Sequence, residues 1–174
     1  AFPNGDYLLK TVTLAKGKVI DKGITMPADY TLQFNILPTE IVKNGKFTSI
    51  LHYTTGNDSV WLPGIYFYPN STKLMVTIRW ENKEKFIEGE TLELNKWSTI
   101  SIKIIGSKAF ININGKLIES DDIPNRPESL PNVMLYAGDK KHEAAKAEIM
   151  APHQNGCFLK EYKTDSLEVV GDMA

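Results

Sequence analysis

Apolar and polar residues alternate with a period of two along much of this chain, in short runs that end at turn residues. In Thr31–Leu37, one side of the strand carries Leu32, Phe34 and Ile36. The other side carries Thr31, Gln33 and Asn35. Pro38 is predicted to end this strand. The same alternation recurs in Leu74–Trp80 and Ile100–Ile104. The pattern predicts an antiparallel all-β sandwich or barrel, with one face of each strand buried.

A β-hairpin is predicted where Asn114 and Gly115 separate two apolar-alternating runs. Ala109–Ile113 precedes the pair and Lys116–Ile118 follows it. Asn-Gly is the preferred two-residue hairpin turn, because both central residues need a positive φ.

Further short segments between turn residues have the same strand-like composition. They are Tyr7–Thr13, Phe47–Thr54, Gly64–Tyr68, Val133–Ala137, Ala144–Ile149 and Cys157–Tyr162. We find no internal repeat or linker, so residues 1–174 are predicted to form one domain, with residues 163–174 as a poorly ordered tail.

The charge balance limits the classes of partner. Lysine and arginine total 20, and aspartate and glutamate total 21, so nothing indicates a nucleic-acid partner. No apolar run approaches the roughly 18 residues of a transmembrane segment. The first residue is Ala1, which fits either a removed signal peptide or an excised fragment.

Cys157 is the only cysteine, which excludes an internal disulfide and a zinc site of several thiolates. It is either a small half-buried residue or a cysteine that forms an intermolecular disulfide.

Four motifs resemble those of a laminin-G-like domain of the concanavalin-A-like superfamily, over about residues 28–150. They are the early core strand Tyr30–Phe34, the tryptophan-led strand Leu94–Ile102, the hairpin Phe110–Leu117, and the closing strands Val133–Gly138 and Ala147–Ile149. The resemblance implies a two-sheet antiparallel jelly roll, commonly extracellular, that binds glycans, proteins or itself, often with calcium at a rim. We expect Trp80 and Trp97 to lie mainly in its core.

Glucanases of the same superfamily use closely spaced carboxylates, a spacing that Glu88, Glu90 and Glu93 share superficially. The charged stretch from Glu81 to Glu88 is expected to be a solvent-exposed connection, and no aromatic subsites flank it. These glutamates are therefore predicted to do no chemistry.

Three groups of oxygen-bearing side chains are candidates for a calcium site, since calcium takes six to eight oxygen ligands. They are Asp121 and Asp122 with Asn125, Asn57 with Asp58, and Asp139 with Glu143. The alternative is that these side chains only solubilise turns.

The strand parity predicts a polar and aromatic face opposite the core, which suits a saccharide: aromatic rings stack on sugars, and amide and guanidinium groups read hydroxyls. This face is predicted to carry Gln33, Asn35, His52, Tyr66, Tyr68, Thr77 and Arg79. Tyr66, Tyr68 and Arg79 are expected to lie within cross-strand reach of one another. The alternative is an ordinary solvated sheet face.

Trp61 lies in a polar loop, as either a ligand contact or a lid on the core. Asn57 and Asn70 begin N-glycosylation sequons, and Asn70 is placed at a turn tip.

Three functions follow from these patterns. The first is a noncatalytic binding or adhesion module, secreted or on the cell surface, that recognises a glycan or an extracellular protein. The second is a structural subunit that associates with copies of itself through sheet edges, Cys157 or the Trp61 loop. The third is a carbohydrate-active enzyme.

Overall fold

The computed structural model describes residues 11–150. They form two antiparallel sheets of six strands each, which confirms the predicted all-β jelly-roll sandwich. No helix long and apolar enough to cross a membrane occurs in this part of the chain.

The strands follow one another with short connections. In chain order they are β1 (Thr11–Thr13), β2 (Val19–Pro27), β3 (Tyr30–Glu40), β4 (Thr48–Thr54), β5 (Trp61–Phe67), β6 (Lys73–Trp80), β7 (Lys83–Thr91), β8 (Ser98–Ile105), β9 (Lys108–Ile113), β10 (Lys116–Glu119), β11 (Ser129–Tyr136) and β12 (Lys146–Met150). The first sheet has the order β1-β12-β3-β8-β9-β10, and the second has the order β2-β11-β4-β5-β6-β7.

The hydrophobic core lies between the two sheets and takes the alternate side chains of each strand. Phe34 and Ile102 come from the first sheet, and Ile65, Val76 and Ile78 from the second, and none of the five is more than 1% exposed. Each such side chain contributes roughly 1.5–3 kcal/mol on burial. The period-two pattern therefore identified the buried face of these strands correctly.

The Asn114-Gly115 turn is confirmed. Both residues have positive φ, 51° and 93°, and Lys116 pairs directly with Ile113. The Asn114 carboxamide Oδ1 also accepts a hydrogen bond of 2.9 Å from the backbone N–H of Thr99, which ties the turn to β8.

The prediction that Pro38 ends its strand is wrong, because β3 continues to Glu40. Beyond Ile36, β3 no longer pairs with β8, and on its other side the register with β12 shifts between Lys146 and Ala147. A bulge beside an unpaired strand edge tolerates a residue that has no N–H donor.

The charged stretch after Trp80 is strand β7 and not a connection, which corrects the sequence interpretation. Among the strands of residues 11–150, β7 lies at a sheet edge and pairs only with β6. Ile87 and Gly89 are buried, while the residues between and before them are largely exposed and charged. Charges on an edge strand discourage pairing with other chains. β2 also lacked a clear alternating pattern and was not predicted.

Trp97 is 38% exposed, so its predicted place in the core is wrong. It precedes the first residue of β8, and the inward positions of that strand are taken by Ser98, Ile100 and Ile102. Trp80 is half-buried and packs against the core, as expected.

The remaining expectations lie outside the described residues. They concern the beginning of Tyr7–Thr13, the strand Cys157–Tyr162 with its cysteine, and the tail 163–174.

Candidate functional site

The outer face of the second sheet, opposite the core, carries a row of residues in register across five strands. Tyr136 pairs with His52, His52 with Gly64, Gly64 with Thr77, and Thr77 with Phe86. At Gly64 a Cβ atom would lie 2.9 Å from the Tyr66 ring and 3.0 Å from the Thr77 methyl group. Glycine is therefore required where these side chains close over the strand.

A β-bulge places Trp61 on this outer face. Trp61 pairs with Arg79 and Gly64 with Thr77, so β5 has one residue more than β6 between the two pairs. The extra residue reverses the parity of Trp61, which would otherwise point into the core with Ile65. The indole N–H donates to the Asp58 carbonyl at 2.9 Å, and the Arg79 guanidinium carbon lies 5.5 Å from the indole centroid. Trp61 and Arg79 are thus held together as a cation–π pair.

The connection between β11 and β12 packs beside β4 at Ser49 and continues over the outer face. The Ser49 N–H donates to the Glu143 carbonyl, the Ala145 N–H donates to the Ser49 carbonyl, and the Asp139 N–H donates to the Ser49 hydroxyl, each at 2.9 Å. These bonds fix residues 138–145 above Tyr66, which is only 2% exposed.

Asp139 organises this connection. Its carboxylate accepts four hydrogen bonds: from the backbone N–H groups of Lys141 and His142, from the Tyr66 hydroxyl and from the His142 imidazole, over 2.7–3.0 Å. Burial alone would raise the pKa of this carboxyl, but the bonds from His142 and Tyr66 outweigh burial and lower the pKa to about 2. Asp139 is therefore an ionised, fully hydrogen-bonded anchor at neutral pH.

The two nearby histidines each commit one ring nitrogen to the protein. His142 Nδ1 must donate to the Asp139 carboxylate, and His52 Nε2 must donate to the Val60 carbonyl at 3.0 Å. Burial lowers the pKa of His52, so its ring is held in the neutral form. In the neutral His52 ring the second nitrogen, Nδ1, is a hydrogen-bond acceptor.

These elements enclose a pocket of about 110 Å³. Its wall combines aromatic, imidazole and charged side chains. They are His52, Asp58, Ser59, Trp61, Arg79, Asp139, Lys140, Lys141 and His142. The volume is well below the roughly 300–1,000 Å³ of a pocket that encloses a whole drug-sized ligand, so the pocket suits one group of a larger partner.

The cations of the pocket are not all engaged in ion pairs. Lys140 lies 3.5 Å from the Asp58 carboxylate, and Arg79 Nη1 donates to Glu84 at 3.1 Å. The Lys141 side chain has no ion-pair partner within residues 11–150. Lys141 is therefore a pocket cation that no carboxylate of residues 11–150 pairs with, and it is available to an anionic group of a ligand.

The structure brings together five of the candidate site residues given by the sequence: His52, Asp58, Trp61, Arg79 and Asp139. It does not do so for the tyrosines. Tyr66 lies under the 138–145 connection and has no free ring face for a ligand, which corrects its predicted stacking role.

Tyr68 lies at the other end of the β5–β6 hairpin, so its predicted proximity to Arg79 is wrong. Its backbone N–H donates to the Lys73 carbonyl, and its ring is 5.2 Å from that of Phe47. Lys73 and Arg79 are six positions apart on β6, which is roughly 20 Å along a strand. Asn35 lies on β3 of the first sheet, paired with Thr99, so it does not share the face of the pocket.

The predicted metal ligands are not one cluster. Asp121 and Asp122 are exposed and pair with Lys85 at 3.4 Å and Lys108 at 3.8 Å, whereas Asp139 is buried beneath the pocket. Residues 11–150 include no group of three or more histidine, cysteine, aspartate or glutamate side chains that could hold a metal ion. A calcium site built jointly on these three aspartates does not fit, and calcium binding elsewhere stays a prediction.

Both sequon asparagines are exposed at turns. Asn70 has a φ of 55° at the tip of the β5–β6 hairpin, as predicted, and its Oδ1 accepts from the Gly45 N–H at 3.0 Å. Asn57 adjoins the pocket residue Asp58, and its Oδ1 accepts from the Ser59 N–H at 2.9 Å. Use of either sequon stays a prediction.

Sequence reasoning did not identify Lys140, Lys141 and His142 as site residues. The sequence did contain one relevant signal, an aspartate in a polar loop. Its carboxylate accepts hydrogen bonds from the backbone N–H groups two and three residues later, as in an Asx turn. Phe86, 52% exposed beside Thr77 on the same face, was missed because β7 was taken as a connection.

Comparison with solved structures establishes the fold. A heptameric SAP-like pentraxin from Limulus polyphemus superposes with a TM-score of 0.58 at 11% identity, over 82% of this chain and 74% of that one. Domains LG4-5 of the mouse laminin α1 chain superpose with a TM-score of 0.55 at 14% identity, over 82% of this chain and 41% of that one. The chain has a laminin-G-like fold.

The same laminin-G-like fold covers part of a larger enzyme. A Trypanosoma rangeli sialidase, solved with sialic acid, superposes with a TM-score of 0.51 at 14% identity, over 70% of this chain but only 20% of the sialidase. No protein-family model matches the sequence, and no curated protein matches it.

Proposed function

We propose that this chain is a noncatalytic extracellular module that binds a saccharide in the pocket on the outer face of the second sheet. The observation that carries the proposal is the convergence of Trp61, Arg79 and two imidazoles on one pocket. Such a wall offers an apolar surface, a planar donor fork and hydrogen-bond acceptors, which together match a sugar ring and its hydroxyls.

The site is held rigid before any ligand arrives. Trp61 is fixed by its bond to the Asp58 carbonyl, and His142 by its bond of 2.8 Å to Asp139. A ligand therefore loses less free energy to ordering of the protein than it would on a mobile loop.

The carboxylates favour binding over glycosidic hydrolysis. Glu88 pairs with Lys73, Glu90 with Lys116 at 3.0 Å, and both glutamates lie on the edge strand, outside the pocket. Within the pocket Asp139 is ionised and saturated with hydrogen bonds, so it supplies no proton.

A hydrolase is the competing function, because a buried carboxylate that orients an imidazole also serves nucleophilic enzymes. Ser59 lines the same pocket as His142. Its hydroxyl, however, makes no hydrogen bond to His142 within residues 11–150. Ester or glycoside turnover that is lost in His142→Ala, with binding retained, would favour the enzyme.

A glycan array with matched tryptophan variants tests the proposal. Trp61→Ala should lose binding, while Trp97→Ala, which removes a half-exposed tryptophan outside the pocket, should bind as the wild type does. Circular dichroism of both variants checks that they fold. Equal binding by the two variants would contradict the assigned site, and binding of no glycan would contradict the function.

A further inference from the structure

We infer that the saccharide recognised here carries an oxyanion, a carboxylate or a sulfate, which is held between Arg79 and Lys141. This inference rests on the proposed function and specifies its ligand class. It is carried by cationic donors of the pocket that lack an acceptor within residues 11–150: the Lys141 ammonium, and the guanidinium nitrogens of Arg79 other than Nη1.

The anions of the pocket are engaged elsewhere. Asp139 directs its two oxygens to Tyr66, to His142 and to backbone N–H groups, and it is 3% exposed. Asp58 lies 3.5 Å from Lys140. Arg79 and Lys141 both line the pocket, and neither forms an ion pair with Asp58 or Asp139.

Arg79 has the geometry for a second acceptor. Of its guanidinium nitrogens only Nη1 has a hydrogen-bond partner within residues 11–150, the Glu84 carboxylate at 3.1 Å. Nε is buried and has no partner. The Arg79–Glu84 pair is about one-third exposed on both sides, so it contributes little and can be exchanged for a ligand oxyanion.

The surroundings strengthen such a contact. The guanidinium packs over the Trp61 ring, and His52 is buried beside it in neutral form. Reduced hydration raises the strength of a charge-assisted hydrogen bond relative to one in open water. The indole then serves as an apolar wall for the sugar ring that bears the acid.

The pocket volume indicates how the acid is presented. About 110 Å³ accommodates a charged substituent with part of its ring, and not a chain of sugars. The sugar that bears the acidic group is therefore at an end or a branch of the saccharide. The remaining sugars extend along the outer face, where Phe86 is exposed two positions from the Arg79 row.

The net charge of the chain is close to zero, so general attraction between a basic protein and a polyanion does not explain a preference for anionic sugars. The net charge is −1, so a preference for anionic sugars has to arise locally. Lys85 offers a matched control: it is a lysine on β7 that pairs with Asp121 and is not part of the pocket.

Titration calorimetry with three oligosaccharides of one backbone, neutral, carboxylated and sulfated, tests the inference. We expect the carboxylated or the sulfated form to bind about tenfold or more tighter than the neutral one, and the preferred form identifies the oxyanion. Arg79→Gln and Lys141→Gln should each reduce that preference, while Lys85→Gln should leave it unchanged.

The outcomes distinguish recognition of an oxyanion from saccharide binding as such. Equal affinity for neutral and anionic forms would overturn the oxyanion and leave saccharide binding intact. Binding of none of the three, together with a negative glycan array, would overturn the proposed function. An equal loss of anion binding in Lys85→Gln would show diffuse charge attraction and overturn the assigned contact. A variant with Lys in place of Arg79 separates loss of charge from loss of the donor fork.

Discussion

The Tyr66 hydroxyl donates a hydrogen bond of 2.7 Å to Asp139 Oδ2, which joins the middle of β5 to the connection between β11 and β12. The two residues are 73 positions apart in the sequence. The same carboxylate oxygen accepts from His142 Nδ1 at 2.8 Å. One buried carboxylate thereby fixes both the floor and one wall of the pocket.

Asp139→Asn should destabilise the protein by about 1–3 kcal/mol, because an amide NH₂ would meet donors where the carboxylate oxygens now accept. Denaturant unfolding measures the change. Asp122→Asn is the control, an exposed aspartate for which a change within about 0.5 kcal/mol is expected. Equal effects of the two variants would contradict the anchoring role of Asp139.

Tyr66→Phe should cost about 1 kcal/mol of stability, since it removes one hydrogen bond and keeps the buried ring. Saccharide affinity should stay near that of the wild type, because Tyr66 lies beneath the pocket wall. A large loss of affinity without a loss of stability would show that the ring contacts the ligand.

Stability should fall as the pH is lowered from 7 to 2. The pKa of Asp139 is depressed from 3.8 to about 2 in the folded protein, so the unfolded chain binds a proton first. Its contribution, about 2 kcal/mol, is complete above pH 4 and is lost as the pH falls toward 2.

His52 adds a second phase at higher pH, since burial lowers its pKa below the 6.5 of the unfolded chain. Its contribution is present above pH 6.5 and declines as the pH falls below that value. Urea unfolding at a series of pH values measures both phases. In His52→Gln the upper phase should weaken; an unchanged profile would contradict the assignment.

The sequence pattern predicts the fold and the core better than the site, for physical reasons. Alternation identifies which side of β6 is buried, because burial acts on every second residue. It cannot reveal the bulge in β5 that turns Trp61 outward, since one extra residue reverses parity without a compositional mark.

The site also depends on a long-range arrangement. The connection bearing His142 comes to lie over β5 only because β11 joins the second sheet and β12 the first. No local pattern around Asp139 indicates that Tyr66 will donate to it. Trp97 was assigned to the core because its motif resembles that of the family. The residue lies immediately before β8, and its side chain is exposed.

Trp97→Ala should destabilise the protein by about 1 kcal/mol, well under the roughly 3–5 kcal/mol of a buried tryptophan, because its side chain is 38% exposed. Thermal and urea unfolding measure this cost. Ile102→Ala, at a fully buried position of β8, is the comparison and should cost about 2–5 kcal/mol. A cost for Trp97→Ala as large as that for Ile102→Ala would place the indole in the core.

Nuclear magnetic resonance of the tryptophan indoles tests the central claim most directly. The protein has three tryptophans, so an ¹H–¹⁵N spectrum contains three indole N–H signals, assignable with Trp61→Phe and Trp97→Phe. On titration with the saccharide that binds best, the Trp61 signal should shift in a saturable manner while the Trp97 signal stays in place. Saturable binding by calorimetry with an unmoved Trp61 signal, or with a moved Trp97 signal, would contradict the account.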